Sequence, residues 1–317
     1  MKYHLEILPI HETNENKRKR QIVENPKGVI VFVHGICHGA WCWENFINFF
    51  ADRRYQCYAI SLPGHGGSEG KEHLQEYHLC DYVEAVREAM EVIKEDMGTR
   101  CDLRGVKPFL LGHSMGGAVV QQYIGKYEND VQGAVLFAPA TAPQMSPKDV
   151  FRFLPLNLSV ASMIALYGWN CSFFVHHAAF FTGKNKEGKK CQRVKDISSY
   201  QKLLQKESKK IVGNFAFGIP PFENGDLTKL YSENYKVNIP VLVIGSYADL
   251  YFPQTSLEKT ANAYASNGKT ALVILERLCH DMMLDEEEWE ESAKPVLAFI
   301  ENPSKFVSDP HKHWPRG

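Results

Sequence analysis

Short uninterrupted apolar runs alternate along the chain with longer stretches in which apolar residues recur every three or four positions. Residues 28–34 (GVIVFVH), 57–62, 109–112, 133–139 (GAVLFAP), 239–245 (IPVLVIG) and 270–275 (TALVIL) are runs of the first kind, as expected for strands buried on both faces. Residues 41–53 carry Trp43, Phe46, Phe49 and Phe50, and residues 76–97 carry Val83, Val86, Met90 and Ile93. Both read as amphipathic helices, as do 118–127 and 286–300. Strand and helix alternate, which predicts a mostly parallel sheet with helices on both faces. Residues 3–8 and 20–24 alternate with the shorter period of a half-buried strand and predict an opening hairpin. The basic run from Lys17 to Arg20 is read as its solvated tip.

The rhythm breaks between 141 and 238. No convincing strand is visible there, and helical runs at 150–167, 173–181 and 198–212 are rich in large apolar residues, Phe173, Phe174, Phe180 and Phe181 among them. This predicts a helical cap inserted between two strands. The chain then divides into the first part of a core (1–140), the cap (141–238) and the second part of the core (239–317). A helix covering a sheet needs one apolar stripe, so part of the surplus aromatic bulk is expected to face a substrate pocket.

Composition narrows the field only a little. A chain of 317 residues with a formal net charge of −1 lacks the basic excess of a nucleic-acid binder. No apolar run approaches the ~20 residues of a membrane span, and MKYHLEILPI at the start has no apolar core of a secretory signal. The eight cysteines are scattered without CxxC spacing, so free thiols, a reducing cytoplasmic location and no zinc site are expected. The turn Pro63-Gly64-His65-Gly66-Gly67-Ser68 has no lysine after its glycines and is not a phosphate-binding loop.

Gly112-His113-Ser114-Met115-Gly116 follows a predicted strand and opens a predicted helix, the context of the G-x-S-x-G nucleophile elbow. A sharp strand-to-helix turn crowds the backbone, so side chains are excluded at 112 and 116, and the hydroxyl of Ser114 is lifted toward the helix N-terminus. A serine hydroxyl needs a base. His280, the histidine between the last strand and the closing helix, is the candidate, and Asp249, just after the strand ending at Gly245, is its candidate acid. The rival carboxylate, Asp281, adjoins His280 and is expected to point away, in a helix-capping or solvated role. The developing oxyanion needs two backbone N–H donors, assigned to Met115 and, in the loop after the first buried strand, Ile36. His34 is expected to brace that loop, and His38 to make a structural hydrogen bond there.

VFVHG (31–35), SLPGHGGS (61–68), GHSMGG (112–117), Asp249 and His280 together resemble the α/β-hydrolase superfamily over nearly the whole chain. HGICHGAWCW (34–43) is similar to plant esterases and hydroxynitrile lyases of the salicylate-binding-protein type, whereas LPGHGGS, ESKK (207–210) and HDMMLD (280–285) resemble bacterial carboxylesterases of the lysophospholipase-like type. The resemblance implies an α/β-hydrolase fold and cleavage of small to medium, fairly hydrophobic carboxylic esters through an acyl-enzyme, with no metal or organic cofactor and a small-molecule ester as the partner. Branches of this fold that use an aspartate nucleophile are set aside by Ser114. The resembling lyases carry threonine where Gly35 stands, which counts against that chemistry. A hydroxynitrile lyase-like activity, thioester, peptide or C–C cleavage, acyl transfer and a receptor-like binding role that retains the triad remain alternatives. Oligomeric state and the physiological substrate are not legible.

Overall fold

In a computed structural model of the protein, the structure describes residues 3–8, 22–100, 102–140, 181–192, 200, 202–204, 207–208, 211 and 237–309. Among them, β1 (Ile7–Leu8), β2 (Gly28–Val33), β3 (Tyr55–Ile60), β4 (Phe109–His113), β5 (Gly133–Phe137), β8 (Val241–Ser246) and β9 (Thr270–Leu275) form one seven-stranded sheet in the order β1-β3-β2-β4-β5-β8-β9. All pairings are parallel except β1 with β3.

The continuous apolar runs are explained by two separate cores. Along β2, Val29, Val31 and Val33 face one side of the sheet, where α2 (Leu79–Gly98), α3 (Met115–Tyr127) and α4 (Gln254–Tyr264) lie. Ile30 and Phe32 face the other, against α1 (Glu44–Ala51), α5 (Trp289–Glu301) and α6 (Pro303–Ser308). With a core on each face, alternation of apolar and polar residues disappears from the central strands. It returns as partial burial in β9 at the edge, where every second residue is buried.

Strand β2 lies between β3 and β4, so the chain leaves β2 toward one edge of the sheet and β4 toward the other. The carboxyl ends of β2 and β4 therefore flank a topological switch point, the place where open α/β sheets leave room for a ligand. The loop at 34–39 and Ser114 both emerge there.

Three expectations are corrected. Among the described residues the opening hairpin is absent: Ile7 pairs with Ile60 on β3, residues 22–24 are not in a strand, and Val23 N–H donates to the side chain of Gln56 instead (3.2 Å). The expected tip, Lys17 to Arg20, lies outside the described residues. Helix α3 begins at Met115 rather than 118, because the elbow turns straight into it. The segment 141–238 does contain strands: β6 (Thr182–Lys184) and β7 (Lys190–Gln192) form an antiparallel hairpin. Its turn uses Gly188 in the left-handed region (φ 79°) and the side chain of Asn185, which accepts the Lys189 N–H at 2.8 Å. Five of its residues are lysine, asparagine or glutamate between 184 and 189, so it carries no apolar period. The predicted helical runs at 150–167 and 173–180 lie outside the described residues.

Candidate active site

Ser114 stands between β4 and α3 with φ 53° and ψ −118°, a conformation costing a non-glycine residue about 1–3 kcal/mol. The surroundings hold it there. Ser114 N–H donates to Phe137 O (3.0 Å), and its own carbonyl accepts from Ala118 and Ala140 (3.2 and 2.8 Å). Glycine is required beside it for space: a Cβ on Gly116 would run into the backbone carbonyls of Val33 and His34. The turn thus wedges directly against the end of β2.

Asp249 and His280, on the loops after β8 and β9, meet as the chain order suggests. His280 Nδ1 lies 2.9 Å from Asp249 Oδ2. The other oxygen, Oδ1, accepts the N–H groups of Tyr251 (2.7 Å) and Phe252 (3.2 Å), an Asx-type turn that fixes the carboxylate. The rings of Tyr251 and Phe252 in turn lie 4.9 and 5.4 Å from the His280 ring. His280 is brought to the elbow through its neighbour: His113 Nε2 donates to the His280 carbonyl (3.2 Å), and the two rings are 4.7 Å apart. Burial and the nearby His280 hold the His113 pKa well below the usual histidine range, so it is a neutral spacer. Ser114, Asp249 and His280 are 5%, 5% and 1% exposed.

The loop after β2 is built from histidines with distinct protonation. His34 accepts the Leu62 N–H at Nε2 (2.9 Å) and therefore donates from Nδ1 to Gly35 O (2.7 Å). Burial depresses its pKa, so one proton suffices. His38 differs: Nδ1 faces Ile36 O (2.6 Å) and Nε2 faces Asp281 Oδ2 (3.0 Å). Two acceptors call for two protons. Burial opposes that charge, but Asp281 outweighs it and raises the His38 pKa. Ile36 is half-buried at the bend, and Met115 is buried at the first position of α3.

Asp281 is the correction within the site. It stands at the N-cap of the turn Met282–Leu284, but its side chain is neither solvated nor a capping acceptor and is buried against His38. Burial alone would raise its pKa; His38 holds it down. Sequence reasoning also passed over Glu207, within the predicted cap. This buried carboxylate accepts from Tyr82 Oη (2.9 Å) and Ser208 N–H (2.8 Å) at Oε1, and at Oε2 takes the Cys37 N–H (3.3 Å) with His65 Nε2 at 3.0 Å. His113, His280 and Asp281 offer potential metal-ligand atoms within 4.8 Å of one another. Of these atoms, His113 Nε2 and Asp281 Oδ2 already engage protein partners, whereas His113 Nδ1 and Asp281 Oδ1 are buried without a hydrogen bond among the described residues.

This sheet, elbow and Asp–His pair define an α/β-hydrolase. The chain belongs to the Hydrolase_4 family, described as serine aminopeptidase, S33, which matches residues 24–287. A monoacylglycerol lipase of Mycolicibacterium smegmatis is 32% identical over 117 residues, 37% of this chain and 39% of that protein. The chain thus spans about two-fifths of the length of the first curated relatives it matches. A bifunctional esterase/perhydrolase of Acinetobacter calcoaceticus is 26% identical over 86% of this chain and 91% of its own. Among solved structures, an esterase from Exiguobacterium antarcticum aligns with a TM-score of 0.60 at 16% identity, covering 95% of this chain and 96% of its own.

Proposed function

We propose that the protein is a serine hydrolase that cleaves carboxylic esters through an acyl-enzyme. The observation that carries the reading is the 2.9 Å contact between His280 Nδ1 and Asp249 Oδ2 beside a serine in the strained elbow conformation. In this reading Ser114 attacks the ester carbonyl while His280 Nε2 takes its proton. Asp249 keeps the proton of His280 on Nδ1 and stabilises the imidazolium. The N–H groups of Met115 and Ile36 receive the oxyanion. His280 then protonates the departing alcohol, and water activated by the same imidazole releases the acid.

Relatives named as lipase and esterase support an ester as substrate. The insertion 141–238 serves as a cap over the site. Its described part favours this role: the β6–β7 hairpin backs onto Ala248, next to Asp249, and Cys279 Sγ contacts Cys191 O (3.6 Å), next to His280. Among the described residues no helix is long and apolar enough to cross a membrane. The described cysteines are free, which favours a cytoplasmic location.

The test is a panel of p-nitrophenyl esters beside an aminoacyl anilide and mandelonitrile, with a fluorophosphonate probe. Ester turnover and probe labelling are expected, both abolished in Ser114→Ala, with kcat down at least ~10³-fold. Preferred cleavage of the anilide, or labelling that survives in Ser114→Ala, refutes the assignment.

A further inference from the structure

We infer that Glu207 is a positioning residue for the oxyanion hole, so that a carboxylate from the inserted segment shapes the loop on which the second oxyanion donor sits. This rests on the reading of Ile36 as that donor.

The argument concerns the two peptide planes on either side of Ile36. The first, Gly35–Ile36, carries the donor N–H. Its oxygen is held by His34 Nδ1 (2.7 Å) and by His38 N–H (3.3 Å). The second, Ile36–Cys37, is held at both ends: its oxygen accepts from His38 Nδ1 (2.6 Å), and its N–H donates to Glu207 Oε2 (3.3 Å). Cys37 needs such a hold, because it is a non-glycine residue in the left-handed region (φ 64°), a conformation that the local chain disfavours. Three of these four contacts come from within the loop or from its flanking histidines. The Glu207 contact alone among them crosses 170 residues of sequence.

The carboxylate is anchored for the task. Tyr82 on α2 and the Ser208 N–H both donate to Oε1, which leaves Oε2 for Cys37 and His65. His65 is itself oriented by a contact from Nδ1 to Pro63 O (3.1 Å). The neighbouring chain is tied down by Gln75 to Glu207 O (3.2 Å) and by Ser208 Oγ to Tyr77 O (3.2 Å). Burial alone would favour a protonated carboxyl here; His65 and the donated hydrogen bonds outweigh it and keep Glu207 ionised. An ionised carboxylate is an obligate acceptor, which is what a backbone N–H in a disfavoured conformation requires. Removing it frees the Ile36–Cys37 plane to rotate, and the aim of the Ile36 N–H drifts with it. A donor must sit close to the position of the oxyanion rather than that of the ground-state carbonyl, so the loss falls on the transition state.

The experiment uses the full chain and the variant Glu207→Gln, with p-nitrophenyl butyrate as substrate and an alkyl trifluoromethyl ketone, whose adduct with serine places an oxyanion in the hole. The expected result is a kcat roughly 10- to 100-fold lower, KM within about twofold, and ketone affinity reduced by about the same factor as kcat. A purely structural carboxylate would lower the melting temperature and leave this split absent. Unchanged kcat and ketone affinity in folded Glu207→Gln, or a loss confined to KM, overturns the inference. Should Glu207→Gln not fold, Glu207→Asp is read in the same way: it keeps the charge but draws it back by one methylene, and kcat within about twofold of wild type overturns the inference. A wild type that turns over no ester brings down the esterase reading and this inference with it. Ester turnover with an indifferent Glu207 variant brings down this inference alone.

Discussion

His38 Nε2 and Asp281 Oδ2 lie 3.0 Å apart although 243 residues separate them in sequence, and the pair joins the loop after β2 to the loop that carries His280. Its two members have opposite shifts: Asp281 raises the His38 pKa, and His38 lowers that of Asp281. A raised histidine pKa contributes stability that is complete below the unfolded value, about 6.5, and is lost as pH rises through the folded value. A lowered aspartate pKa contributes above about 3.9 and is lost as pH falls through its folded value. The gap in melting temperature between wild type and Asp281→Asn is therefore expected to be widest between about pH 4 and 6.5 and to close toward alkaline pH. Melting curves across that range check it; a gap that grows with pH contradicts a charged His38.

Asp249→Asn is expected to keep the fold and lose about 10³–10⁴ in kcat, because an amide facing Nδ1 favours the wrong tautomer of His280. Asp281→Asn leaves the Nδ1 contact in place and is expected to cost far less activity. Parallel kcat measurements with circular dichroism on both variants decide the matter, and reversed severity makes Asp281 the acid.

Gly35 leaves no room for the threonine of the resembling lyases. A Cβ there would stand 2.8 Å from His113 Nδ1 and 3.0 Å from Ser114 Cβ. Gly35→Thr is expected to destabilise by about 1–3 kcal/mol, to lower ester kcat by moving the elbow, and to gain no cleavage of mandelonitrile. Full esterase activity at an unchanged melting temperature shows that the loop has slack.

Phe181 belongs to the surplus of aromatics from which a pocket wall is expected. It is 1% exposed, within the core on the α1 side of the sheet and 5.8 Å from the Tyr200 ring. Phe181→Ala is expected to cost about 3–5 kcal/mol of stability while leaving the relative rates on acetyl, butyryl and octanoyl esters within about twofold. A shifted chain-length preference places it on the pocket wall.

The elbow was legible because its determinants are local: glycines at fixed offsets from Ser114, an apolar run before and a helix after. The Asp249–His280 pair was legible because each residue directly follows a strand whose burial makes it easy to recognise. Asp281 was misread for the complementary reason. Beside a histidine and before a helical turn, an aspartate looks solvated; only the fold delivers His38 as its partner. Glu207 was invisible as a buried group in a stretch followed by two lysines. The β6–β7 hairpin was missed because strands made of lysine, threonine and glutamine give no period to detect.

The contacts that complete the site span most of the chain: Cys37 with Glu207, His113 with His280, and His38 with Asp281 are separated by 170, 167 and 243 residues. Contacts of such separation are costly in loop-closure entropy and form late in folding. During synthesis the elbow and the loop after β2 leave the ribosome long before the residues that hold them. On the roles proposed for Ser114 and His280, the nascent chain would therefore display the nucleophile well before its base, which follows only once the loop after β9 has emerged and closed on the rest.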